Sequence, residues 1–164
     1  VYLERLGFWD EPSLAVHGVW LDEADREILA RRGVWLALCP RSNLHTGAGF
    51  PDVPGLLRAG LKLALGTDSL ASNRDFNLFN EIRVIHECYP GLEILELLTM
   101  ATRHGAQALG RGQDLGSLQP GKRGAMLFLP LPPGGPFPEA LLQAGAEGLI
   151  YWLTNHGKEM SYGA

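Results

Sequence analysis

Two ionisable residues stand just past the ends of apolar runs. Leu14-Ala15-Val16 stops at His17-Gly18, and Leu61-Lys62-Leu63-Ala64-Leu65 stops at Gly66-Thr67-Asp68. An imidazole and a carboxylate sharing one pocket can hold a divalent metal, fix an attacking water and relay its proton. Taken singly, each has a plainer reading: His17 as a satisfied core histidine, Asp68 as a helix cap or turn former. Parallel strands open their C-terminal ends onto one rim, and that geometry would bring the two side chains within reach of one pocket. A catalytic zinc takes three protein ligands as a rule. This sequence offers at most two, so the expectation is that part of the site lies outside it.

A third run, Val34-Trp35-Leu36-Ala37-Leu38, ends in Cys39-Pro40-Arg41-Ser42-Asn43. A guanidinium fork beside a hydroxyl and an amide suits a carbonyl or carboxylate on a substrate, and a solvated turn is the alternative. His45, in the same loop, is a further substrate-binding candidate. Ser69, Ser72 and Asn73 read first as helix-entry groups and second as supports for Asp68. His86 and Glu87 do not complete a HExxH zinc motif, because Pro90 stands where the second histidine belongs. His104 reads as a helix-packing residue and His156 as part of a Thr154-Asn155-His156-Gly157 turn.

The elements that must position these groups alternate strand, loop and helix. Asp22 can cap a helix whose inward stripe is Leu21, Ala24 and Ile28, with Arg31 and Arg32 in its last turn and Gly33 as its stop. Pro54 opens a short helix that ends at Gly60. The intervals from 17 to 39 and from 39 to 68 each fit one βα repeat of a parallel sheet. Residues 77–87 and 92–108 read as helices, and 110–121 as a loop. Met126 to Leu129 and Leu149 to Leu153 read as strands, separated by a proline-rich connection from Pro130 to Pro138. The start, Tyr2 to Gly7, reads as the end of a helix, and the chain as a portion of something longer.

Composition sets the class. With 164 residues, 46% hydrophobic and 20% charged, the chain can bury one modest core. A net charge of −4 without any Lys/Arg cluster gives no footprint for nucleic acid or an anionic membrane. No stretch approaches the roughly 20 apolar residues of a membrane span, and the expected location is cytoplasmic. Cys39 and Cys88 have no CxxC spacing and read as packed thiols.

Together, His17-Gly18-Val19-Trp20-Leu21, Cys39-Pro40-Arg41-Ser42-Asn43-Leu44 and Leu65-Gly66-Thr67-Asp68-Ser69, followed by Asn73 and Glu81, resemble the amidohydrolase superfamily. The likeness is to its deaminase and chlorohydrolase branch, which holds S-adenosylhomocysteine, guanine and aminodeoxyfutalosine deaminases. The resemblance implies an α/β fold: residues 1–115 as the C-terminal part of a (β/α)8 barrel, about strands six to eight, and 116–164 as part of a small β-sandwich-like domain. It implies that Asp68 is the strand-eight metal ligand and proton-transfer base, and that His17 is the strand-six histidine beside the attacking water. Arg41, Ser42, Asn43 and His45 would then bind substrate. The implied cofactor is one divalent metal, zinc foremost, with iron or manganese also possible. The family's His-x-His pair and its strand-five histidine have no counterpart here, so the implied partners are a small-molecule substrate and the missing N-terminal part of the barrel.

The implied reaction is hydrolytic deamination of a purine or aminodeoxyfutalosine-like compound. A chlorohydrolase or cyclic-amide hydrolase, or a non-catalytic fragment, is the alternative. After Lys122-Arg123 the chain has Gly124-Ala125-Met126 where the family commonly has Ala-Asp, a departure that touches the first tail strand. An exposed strand edge at 14–16 leads to the expectation of homo-oligomers or aggregates when the chain is made alone.

Overall fold

Three short apolar runs form a parallel sheet in the order β1-β2-β3: Leu14–Val16, Trp35–Leu38 and Lys62–Leu65. Val16 pairs with Ala37 and Leu38 with Leu65. The ladder runs one residue beyond the strands, since His17 N–H donates to the Ala37 carbonyl (2.8 Å) and Gly66 N–H to that of Leu38 (2.9 Å). The computed structural model describes residues 1–131, 134–148, 150–153 and 160–161.

The connections follow from local chemistry. Asp22 accepts from the Asp25 amide at 2.8 Å and caps α2, Glu23–Arg32, which ends where Gly33 takes φ 65°. Pro40 opens α3, Pro40–Thr46, and Asp52 caps α4, Val53–Arg58, through the Gly55 amide at 3.0 Å. Asp52 also accepts from Arg26 Nη1 at 2.9 Å, tying α4 to α2. Leu36, Leu38, Val53, Leu56 and Leu63 fill the core of this unit. A β-carbon on Gly18, at φ 64°, would lie 2.7 Å from Leu36 Cδ2, so this turn requires glycine on two counts. A short N-terminal helix, α1, covers Tyr2–Arg5.

The chain divides into two units, Val1–Phe76 and Asn77–Ala164. The sequence reading places a boundary at 115/116 and groups the helices after residue 76 with the parallel strands. In the structure those helices cluster with the tail. They are α5, Leu78–Cys88, capped by Asn77, and α6, Ile94–Thr99, which passes through a π-helical turn, Met100–His104, into α7, Gly105–Ala108. α5 and α6 pack on α8, Phe137–Ala146.

That last helix corrects the sequence reading, which has only a proline-rich connection between the two tail strands. Pro136 is instead the cap of α8 and Pro138 lies in its first turn, where a missing N–H costs nothing. β4, Met126–Phe128, pairs antiparallel with β5, Tyr151–Leu153, and β5 with β6, Met160–Ser161. The expected turn at 154–157 lies outside the described residues. Cys39 is buried as expected, whereas Cys88, the last residue of α5, is exposed.

Candidate active site

His17 follows β1, Cys39 to Thr46 follow β2, and Asp68 follows β3, so all three segments open at the C-terminal end of one parallel sheet. Both ionisable residues carry an unusual backbone. His17 has φ 73° and Asp68 has φ 61°, and among the described residues they are the only non-glycine residues at positive φ. Left-handed backbone disfavours residues with a β-carbon and concentrates at functional sites.

α3 supplies the side chains that hold them. Ser42 Oγ lies 2.6 Å from Asp68 Oδ2, Ser72 Oγ lies 2.7 Å from the same oxygen, and the two hydroxyls are 2.8 Å apart. Two protons thus serve three short contacts, in a closed triangle on one carboxylate oxygen. Both serines meet Oδ2, which leaves Oδ1 clear of them. These hydroxyls hold the Asp68 carboxyl below its ordinary value, Ser42 first and Ser72 second, with a smaller contribution from the backbone N–H of Ser69. One residue on, Asn43 Oδ1 lies 2.8 Å from His17 Nδ1. Asn73, also buried, donates from Nδ2 to the Thr67 carbonyl at 2.7 Å and shapes the turn that carries Asp68.

The substrate-binding expectations therefore change. Ser42 and Asn43 are 1% and 2% exposed and face Asp68 and His17. Arg41 is committed to a bidentate pair with Asp75, at 2.7 and 3.0 Å. Its fork holds the loop that follows β3. His45 is exposed on α3. Sequence reasoning missed the pairing of 42 with 68 and of 43 with 17. The available signal was that adjacent parallel strands put these positions on neighbouring loops of one rim. Glu81 is fully buried within α5.

A carboxylate oxygen and an imidazole are donors that suit zinc and related divalent ions. Among the described residues, no group of three His, Cys, Asp or Glu side chains is set to hold a metal. Asp68 fits such a site as a contributor to it, with His17 on the same rim.

The Amidohydrolase family profile matches residues 2–147. The chain is 40% identical over 135 residues to a 5-methylthioadenosine/S-adenosylhomocysteine deaminase of Pelotomaculum thermopropionicum, a match covering 78% of this chain and 31% of that protein. Among solved structures, an adenosine deaminase from Xanthomonas campestris with bound zinc matches with a TM-score of 0.85 and 33% identity, over 96% of this chain and 39% of that one. A variant of an atrazine chlorohydrolase from Arthrobacter aurescens, complexed with zinc and atraton, matches with a TM-score of 0.83 and 27% identity, over 96% of this chain and 38% of that one. The chain spans about a third of the length of these relatives and corresponds to a fragment of their barrel fold. With the profile covering nearly the whole length and the same fold recovered independently, the chain belongs to the amidohydrolase family.

Proposed function

We propose that the complete protein carrying this chain is a metal-dependent hydrolase that deaminates the adenine ring of a nucleoside such as 5-methylthioadenosine or S-adenosylhomocysteine. In this reading the described strands are the sixth to eighth of the barrel, and residues 116–164 belong to a small β domain. The observation that carries it is the placement of His17 and Asp68 on one sheet rim, both at left-handed φ, in a chain 40% identical to a deaminase of that substrate class.

Asp68 is the proton acceptor. Its Oδ2 is anchored by Ser42 and Ser72, which fixes the direction in which the carboxylate is presented. Like any aspartate with a pKa at or below the ordinary value it is ionised at neutral pH, as an acceptor must be, and the serine hydroxyls orient it. His17 holds the attacking water beside it, and Asn43 holds His17. Arg41 acts through Asp75, by keeping the loop after β3 in place. A divalent metal, when bound with ligands from beyond these residues, supplies Lewis acidity and lowers the pKa of water to about 7. Zinc is the ion this reading favours, since two similar proteins carry it.

The test is ammonia release from 5-methylthioadenosine, S-adenosylhomocysteine and adenosine by the full-length protein, with metal content measured alongside. Asp68→Asn keeps the size and one oxygen but loses the base, and turnover is expected to fall by about 10²–10⁴-fold. Near-normal turnover in that variant with its metal retained would remove Asp68 from the chemistry. Release of chloride from a chlorotriazine, without ammonia from any nucleoside, would favour the dechlorinating reading.

A further inference from the structure

His17 has two ring nitrogens, and the work it can do depends on which one carries the proton. Asn43 Oδ1 lies 2.8 Å from Nδ1. A carboxamide oxygen only accepts, so the nitrogen facing it carries hydrogen. At the other end of the same amide, Nδ2 is buried without a hydrogen-bond partner among the described residues. The contact with His17 is thus the one side-chain hydrogen bond of this amide among the described residues. Asn43 is itself 2% exposed and sits in α3 next to the buried Ser42, so the contact is made away from bulk water. The left-handed backbone at His17 then sets where the ring starts.

We propose that Asn43 is a positioning residue that holds a proton on His17 Nδ1, so that whenever the ring carries a single proton Nε2 is the acceptor nitrogen of the site. This deepens the function proposed above and rests on the reading of His17 as a site residue. An Nε2 lone pair accepts a hydrogen bond from the attacking water and so turns an oxygen lone pair of that water toward the electrophilic carbon. It does not donate to a developing oxyanion. His17 is therefore the residue that orients the nucleophile, and the proton itself goes to Asp68.

The experiment is ¹⁵N NMR of the full-length protein labelled at histidine, at a pH where the ring carries a single proton, with the His17 pair of signals identified by their loss in His17→Gln. The expected pattern is a protonated nitrogen at Nδ1 and an unprotonated one at Nε2. Asn43→Asp keeps an acceptor and should keep a proton at Nδ1. Asn43→Ala removes the acceptor, so a share of the ring should move its proton to Nε2, and kcat should fall by about 10–100-fold with KM little changed. A single proton on Nε2 in the unaltered protein overturns the proposal even if Asn43→Ala does not fold. So does an unchanged pattern in a folded Asn43→Ala. If the expected pattern appears but no nucleoside yields ammonia, the tautomer assignment stands and the deaminase reading falls.

Discussion

His17 and Asp68 share a backbone conformation that no other non-glycine residue adopts among those described: φ is 73° at the first and 61° at the second. Each follows the end of a parallel strand, and each is held by a neighbour from α3. The left-handed region disfavours L-residues by about 1–2 kcal/mol, so both side chains are kept where they are by their surroundings rather than by preference.

This strain is measurable at His17. Glycine relieves the left-handed penalty but adds freedom to the unfolded chain, an opposing effect of about 0.4–1 kcal/mol. His17→Gly should therefore be more stable than His17→Ala by up to about 1 kcal/mol, read from urea midpoints. Elsewhere on a surface loop, alanine would equal or exceed glycine. The same order at position 17 would mean its backbone is relaxed.

Ser42→Ala should show a stability deficit that depends on pH. The Asp68 carboxyl is held below its ordinary 3.8 by the two serine hydroxyls. A depressed pKa contributes stability that is present above the unfolded value and is lost as pH falls through the folded one. The deficit of Ser42→Ala should thus be largest at pH 6–7, well above 3.8, and should narrow as pH drops below 3.8. Urea midpoints in metal-free buffer at neutral pH and near pH 3 decide it. A deficit that stays constant would mean that Ser42 contributes packing alone.

Arg41 and Asp75 should behave as one unit. Their side chains are 16% and 39% exposed and meet through two hydrogen bonds. Arg41→Met and Asp75→Asn should weaken stability to similar extents, with a double-mutant coupling of about 1 kcal/mol. Kinetics separates this from direct substrate binding. If Arg41 holds the substrate, KM rises in Arg41→Met and not in Asp75→Asn; if it holds the loop, the two variants move together.

In the second unit, Gly145 is the tightest point. A β-carbon there would clash with Cγ, Cδ1 and Cδ2 of Phe79, a buried residue of α5, while Asn77 Nδ2 donates to the Gly145 carbonyl at 2.8 Å. Helix α8 thus approaches α5 with no room for a methyl group. Gly145→Ala should cost about 1–3 kcal/mol despite alanine's better helix propensity. A neutral or stabilising effect in a denaturant titration would show that the two helices can separate without penalty.

Much of the first unit was legible because its signals are local. Asp22, the apolar stripe after it and Gly33 state where α2 starts and stops, and apolar runs ending at His17 and Asp68 mark the strands. The partners of those two residues were not legible, because the pairs 43 with 17 and 42 with 68 are set by strand register and not by spacing along the chain. The partner of Arg41 was hidden for a related reason: donor geometry says what a guanidinium can bind, not that Asp75 stands beside it in the fold. Helix α8 was hidden by its own prolines, which favour a first helical turn as readily as a loop.

Helix α3 spends three consecutive residues on three different partners: Arg41 on Asp75, Ser42 on Asp68 and Asn43 on His17. Successive helical positions are rotated by about 100° from one another. Substituting one of the three removes one contact and leaves two. Inserting or deleting a single residue between Cys39 and Arg41 turns the whole set by about 100°, and each partner then meets the wrong side chain. Phase, more than composition, is what this segment encodes, and a change of length there is a larger mutation than any change of identity.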